Sequence, residues 1–298
     1  MFEGSYVALV TPMEIDGSLD ELALRRLVHW HIKNGTDGIV AMGTTGESPV
    51  LSVEEHCRVL DVVVKEADRK LKVIAGCGSN NTTEAIHFHN YAHSIGADAA
   101  LHVTGYYNRP SQEGIFRHFE ALDAENDLPI IVYNIPPRAV VDITVETMTR
   151  LSQLTSIVGV KDATRDLVRP VLEKLSIGEN FSLLSGEDGT AVAYNAAGGK
   201  GCISVTANIA PALCAEMQHA CLQGDFTTAT RIQSSLMPLH QALFVEPSPV
   251  GIKYACSRLG LCLETTRLPM VPLTQNTRSL IDAALEGLGI LAGKEALV

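Results

Sequence analysis

A chain of 298 residues with 46% hydrophobic content is long enough to bury one large core and too short for two independent large domains. Its formal charge of -11, with no run of Lys and Arg to make a local basic stripe, excludes a phosphate backbone as an expected partner. No apolar stretch approaches the about 18 residues of a membrane helix. Met1 to Met13 does not read as a signal peptide, and seven scattered cysteines include no Cys-x-x-Cys pair, so a soluble cytoplasmic protein with reduced, mostly buried thiols is expected.

Short apolar runs alternate with longer amphipathic stretches along the chain. Val7 to Val10 is followed by a helical pattern over Leu22 to Asn34, then Gly38 to Met42 by one over Val53 to Ala67. Val73 to Ala75 precedes a helical pattern over Glu84 to Ile95, and Ala99 to Val103 precedes one over Gly114 to Ala124. Ile130 to Tyr133, Ile157 to Val160, Phe181 to Leu184 and Cys202 to Val205 complete eight runs. They are continuously apolar, as strands covered on both faces must be. Eight βα units within about 250 residues predict a (β/α)8 TIM barrel. No Gly-x-Gly-x-x-Gly follows the first strand, which counts against a doubly wound dinucleotide fold. Past Gly224 the strand signal ends, and Asp225 to Phe244, Pro249 to Leu259 and Thr277 to Leu288 read as helices. The expected organisation is a barrel domain over 1–224 and a helical C-terminal appendage over 225–298.

Catalytic side chains of such barrels lie at the C-terminal ends of strands. Of nine lysines, Lys161 alone directly terminates an apolar strand, Ile157-Val158-Gly159-Val160. Burial there lowers an amine's pKa and makes a nucleophile of it; the competing reading is a structural ion pair with Asp162 or Glu187. Gly43-Thr44-Thr45-Gly46 offers backbone N–H groups and two hydroxyls as a cradle for a small carboxylate, or is simply a turn. Tyr133, one strand before Lys161, suits proton exchange with a carbinolamine, or caps the core. Arg138, after the stiff Pro136-Pro137, suits a second carboxylate if it is not merely a surface arginine. His29-x-His31 and His87-x-His89 lie in helical stretches where residues two apart diverge, so no metal site is expected. Gly-x-Ser-x-Gly is missing, which leaves no nucleophile elbow for a serine hydrolase.

Beyond these single residues, the chain carries Gly4-Ser5, Thr11-Pro12, Gly43-Thr44-Thr45-Gly46-Glu47-Ser48, Tyr106-Tyr107-Asn108-Arg109-Pro110 and Tyr133-Asn134-Ile135-Pro136. Gly159-Val160-Lys161-Asp162-Ala163-Thr164, Leu184-Ser185-Gly186, Ile203-Ser204-Val205-Thr206-Ala207-Asn208 and Phe244-Val245-Glu246-Pro247 follow in order. In these motifs, over essentially its whole length, it resembles bacterial dihydrodipicolinate synthases, members of the pyruvate-dependent Schiff-base lyase superfamily that includes N-acetylneuraminate lyase. The resemblance implies that Lys161 forms the imine with pyruvate and that Tyr133 relays protons. It implies that Thr44 links Tyr133 to a Tyr107 reaching in from a neighbouring subunit. Thr45, with Thr44, would bind the pyruvate carboxylate, and Gly186 and Ile203 would line the pocket. Arg138 would hold the carboxylate of L-aspartate 4-semialdehyde, a role that separates the synthases from sialic-acid and keto-deoxy-sugar lyases. Neither metal nor organic cofactor is implied.

The resemblance further implies a homotetramer built as a dimer of dimers. It also implies a feedback site for L-lysine at Ser48, His56, Asn80, Glu84 and Tyr106, although Val53 stands where some sensitive enzymes have His. Other departures are Gly105 and Gly251, where Pro is common, and Pro137-Arg138-Ala139-Val140 in place of Ser-Arg-Thr-Gly. A rival of another class, a silent barrel that binds a keto acid as a sensor, has no need of the imine-forming Lys161.

Overall fold

The computed structural model describes residues 1–291 of the chain. Eight parallel strands close into a barrel in chain order, with β1 returning to β8. They are β1 (Gly4–Ala8), β2 (Gly38–Ala41), β3 (Lys72–Gly76), β4 (Ala99–Val103), β5 (Ile130–Asn134), β6 (Ile157–Asp162), β7 (Ser182–Ser185) and β8 (Gly201–Ser204). The expected TIM barrel is therefore present. β1 begins at Gly4, ahead of the apolar run, because Ser5 is fully buried and Asp37 takes its N–H at 2.7 Å. Hydropathy cannot register a strand start whose backbone N–H is held by a carboxylate from another part of the chain.

Around the barrel run α1 (Glu21–Lys33), α2 (Val53–Ala67), α3 (Thr82–Ser94), α4 (Gln112–Asp123), α5 (Pro136–Ala139), α6 (Val145–Leu151), α7 (Arg169–Ile177), α8 (Ala191–Ala196) and α9 (Pro211–Leu222). α2 begins on a complete capping box, Ser52 with Glu55, a device worth about 1 kcal/mol. Of the five barrel helices without a sequence signal, α5 to α9, three have a physical reason for it. α5 and α8 are shorter than two turns, and α9 is buried on most of its circumference, so no amphipathic stripe marks it. After the barrel come α10 (Phe226–Ala242), α11 (Val250–Arg258) and α12 (Gln275–Gly287). Leu236, Leu239 and Ile252 of this segment join one apolar cluster with Val7, Leu27 and Ile39 of the barrel. Gly251, uninterpretable from sequence, touches the end of α10: a Cβ there would stand 2.7 Å from the Leu243 carbonyl.

One irregularity decides which way the functional side chains face. Ile131 and Tyr133 of β5 point into the barrel, among Tyr6, Ile74 and Leu184, whereas Ile130 and Val132 point out toward Ile115 and Phe119. In β6, Ile157 pairs with Ile130, but the next partner of Ile131 is Gly159, so Val158 is an extra residue in the strand. Side chains alternate faces with a period of two, and a one-residue shift inverts every later position. Without Val158 in excess, Lys161 would share the outward face of Ile157; with it, Lys161 pairs with Tyr133 and faces inward.

Candidate active site

Lys161 is 6% exposed, and its Nζ lies 4.2 Å from the centre of the Tyr133 ring. Burial pulls its pKa down to about 8; Cys202 and Asp188 act in the opposite direction, and Arg138 lowers it further. The structural ion pair weighed from sequence is not formed. Among the described residues no carboxylate lies within 4 Å of the amine; Glu187 holds Arg165 at 2.9 Å, and Asp162 accepts from the Thr164 N–H at 2.8 Å. Tyr133 is also buried, which raises its phenol above the usual range while the positive charge of Arg138 opposes the rise.

Thr44, Thr45 and Gly46 form a single 3-10 turn directly beyond β2, closed by the Gly46 N–H on the Gly43 carbonyl at 3.0 Å. Thr11 donates its hydroxyl to the Gly46 carbonyl at 2.7 Å, tying the turn to the end of β1. Met42 and Glu47 bracket the loop in the left-handed conformation, each with φ near 60°, a costly arrangement for residues with a Cβ. A cavity of about 170 Å³ opens beside the turn, walled by Thr44, Ser48, Leu101, Tyr106, Tyr133 and Arg138 among others. Gly186 and Ile203, expected to line the pocket, are not on its wall, and neither are Lys161 and Thr45. Lys161 reaches it through the face of the Tyr133 ring, which is. Thr44 and Tyr133 both wall the cavity, and no hydrogen bond joins their hydroxyls.

Gly186 abuts the lysine. A Cβ at this position would meet Lys161 Cγ and Cε at 3.1 Å and Ala163 at 3.0 Å. Ile203 is fully buried in the inner core, and the chain after it is held by Asp188, which takes the Ser204 hydroxyl and the Val205 and Thr206 N–H groups. Arg138 rides on α5, which ends at Val140 with φ of 63°. A residue with a Cβ is strained in this left-handed conformation, so Val140, standing where the resemblance leads one to expect Gly, carries backbone strain. The segment beyond α5 is pinned from below: Asn134 donates to Asp142 at 2.7 Å, and Arg169 donates to Asp142 at 2.9 Å and to the Ile143 carbonyl.

The five residues expected to bind lysine gather on the β2–β4 side of the same mouth. Ser48 and Tyr106 are walls of the cavity itself. Asn80 donates to the Tyr106 carbonyl at 3.2 Å, and Glu84, an exposed carboxylate, accepts from Ser79 at 2.5 Å. His56 stacks on Phe88 at 4.0 Å and meets the Gly76 carbonyl at 2.8 Å; burial lowers its pKa to about 4, and Glu84 pulls the other way. Tyr107 stands apart. It is 91% exposed on the loop after β4, with φ of 70°, and it touches neither Thr44 nor Tyr133 within its own chain. Among the described residues no cluster of three or more His, Cys, Asp or Glu has the geometry to hold a metal ion. His31 is instead bonded to Thr36 and His89 to His102, both in the interior.

The sequence matches the model of the Dihydrodipicolinate synthetase family over residues 1–288. The chain belongs to that family. It is 56% identical to the 4-hydroxy-tetrahydrodipicolinate synthase of Parvibaculum lavamentivorans, over 98% of this chain and 100% of the relative. The crystal structure of the chloride-inhibited dihydrodipicolinate synthase from Acinetobacter baumannii complexed with pyruvate is 42% identical, with a TM-score of 0.95 over 97% of this chain and 100% of that one. The synthase of Cyanidioschyzon merolae with lysine bound is 34% identical, with a TM-score of 0.95 over 97% and 99%.

Sequence reasoning missed Asp188 and the pairing of Glu47 with Lys253, whose Nζ donates to Glu47 Oε1 at 2.6 Å. A signal for the latter exists: Lys253 is the only charge in Val250-Gly251-Ile252-Lys253-Tyr254-Ala255-Cys256, a run otherwise fit for a core.

Proposed function

We propose that this chain is a 4-hydroxy-tetrahydrodipicolinate synthase that condenses pyruvate, held as an imine on Lys161, with L-aspartate 4-semialdehyde. The observation that carries the reading is a buried amine, depressed to about 8, facing a buried tyrosine in a cavity that Arg138 overlooks. The neutral amine adds to the pyruvate carbonyl, water leaves, and the protonated imine becomes the electron sink. Loss of a methyl proton gives the enamine, whose carbon attacks the aldehyde. The substrate amine then displaces Lys161 as the ring closes. Tyr133, through Thr44 and a neighbour's Tyr107, passes the protons; Thr44 and Thr45 receive the pyruvate carboxylate; Gly186 packs against Lys161 behind the cavity wall, and Ile203 lies in the inner core. This chemistry draws on side chains alone. Arg138 favours the synthase over a sialic-acid or keto-deoxy-sugar lyase, because its guanidinium matches the second carboxylate as a fork.

Lysine is proposed as a feedback ligand of the Ser48, His56, Asn80, Glu84 and Tyr106 cluster. Glu84 supplies an acceptor for its ammonium groups, and the lysine-bound relative from Cyanidioschyzon merolae supports the reading. A homotetramer is proposed from the exposed Tyr107 and from the apolar Leu167, Val168, Val171, Leu172 and Leu175 on and before α7, all partly or largely open to water. Seven free thiols suit the cytoplasm. Replacing Arg138 tests the substrate assignment. Arg138→Ala should lower kcat/KM for the semialdehyde about tenfold to a hundredfold, the value of a lost charge-assisted fork, while borohydride still traps pyruvate on the protein. Better turnover of sialic acid than of the semialdehyde pair would overturn it.

A further inference from the structure

Two side chains from the C-terminal segment reach the loop that carries Thr44 and Thr45. Lys253, in the middle of α11, is fully buried, and its only acceptor among the described residues is Glu47, itself 3% exposed. The second oxygen of Glu47 accepts the backbone N–H of Arg267 at 3.0 Å. The guanidinium of Arg267 then donates to the Val50 carbonyl at 2.9 Å, to the Gly17 carbonyl at 2.8 Å and to Glu55 at 2.5 Å. Both ends of the segment from Glu47 to Val50 are thus held from outside the barrel.

An ion pair placed in the interior is a poor way to gain stability, since the desolvation of two charges offsets their attraction and apolar side chains of similar volume do as well. What it supplies is direction: one acceptor, one donor, one geometry. Glu47 needs such direction, because its left-handed backbone persists only where the surroundings over-determine it. Its N–H also closes the turn on the Thr44 carbonyl at 3.1 Å, so a displaced Glu47 displaces Thr44 and Thr45.

We propose that Lys253 and Arg267 are positioning residues for pyruvate: Lys253 at Glu47 and the Arg267 guanidinium at Val50 hold the two ends of the segment that continues the turn receiving its carboxylate. The inference rests on the reading of Thr44 and Thr45 as that receptor. The double variant Glu47→Gln with Lys253→Met removes both charges at nearly constant volume. Its melting temperature should stay near the parent's, whereas the pyruvate concentration for half-maximal borohydride trapping should rise about tenfold, the scale of effect that misplacement by a fraction of an ångström produces. A purely structural pair would do the reverse: a lower melting temperature with parent-like half-saturation overturns the proposal. Should the double variant fail to fold, Arg267→Gln, whose side chain is partly exposed, gives the same reading, and a parent-like half-saturation there is equally fatal. Thr45→Val separates the two layers. If Thr45→Val leaves half-saturation unchanged, the carboxylate reading falls and the positioning proposal with it. If Thr45→Val raises it and the pair variant does not, only the positioning proposal falls.

Discussion

In the proposed reaction Lys161 serves as the nucleophile because its buried surroundings make it a weaker base. With a pKa near 8 in the folded protein, the amine is protonated below that pH and neutral above it, and only the neutral form attacks a carbonyl. The rate of borohydride trapping at low pyruvate should therefore rise about tenfold per pH unit up to about 8 and flatten beyond, whereas a lysine at its ordinary value near 10.4 would keep gaining to the end of the range. Measuring initial trapping rates from pH 6 to 10 by intact mass checks this, with Lys161→Ala alongside. Continued increase to pH 10 rejects the depressed amine, and an adduct on the variant moves the nucleophile elsewhere. Lys161 and Tyr133 were legible in the sequence because each ends an apolar run, and a polar residue there has few structural uses. Glu47 and Lys253 were not, since their partnership spans 206 positions and sequence shows each only as an ordinary charge.

At the level of elements, hydropathy located all eight strands, but it could not tell which face of β6 turns inward. Counting alternation from Ile157 leads to the wrong face for Lys161, and only the pairing with β5 reveals the extra residue. The neighbouring strand adds a second constraint. β7 delivers Gly186 against Lys161, with the Gly186 N–H bonded to the Asp162 carbonyl at 2.6 Å, so the backbone at 186 has no room to retreat. Gly186→Ala should fold normally yet slow pyruvate trapping about tenfold, because the new methyl group at 3.1 Å from Cε pushes the amine off its attack geometry. A parent-like trapping rate would show that the lysine has slack the packing does not reveal. The helices divide in the same way: α2 announced itself through its period and its capping box, while α5, which carries Arg138, is a four-residue turn with no period to read.

For the whole molecule, one chain brings Thr44, Tyr133 and, behind the Tyr133 ring, Lys161 to the cavity, but not Tyr107, the second tyrosine of the proposed relay. Tyr107 is exposed, on a loop held near Asn80 by the Asn108 amide at 2.8 Å, and is not on the wall of its own cavity. No reading of a single sequence from its periodicity locates a contact between two copies; that expectation came from resemblance alone. If two copies meet face to face at this loop, each Tyr107 enters the other's relay, and the interface is isologous. Tyr106, on the same loop, walls the cavity and receives the Asn80 amide, so lysine binding and relay geometry would share one segment. Such an arrangement would make activity a property of the dimer. Tyr107→Phe and Lys161→Ala protomers, each inactive alone, should regain turnover when mixed under conditions of subunit exchange, since each heterodimer has one site with both defects and one with neither. At equal mixing about half of the dimers are heterodimers with one intact site, which sets the ceiling near a quarter of parent activity per site. Native mass spectrometry confirms that heterodimers form. Heterodimers without turnover, or full activity in a variant shown to be monomeric, would place the whole relay within one chain.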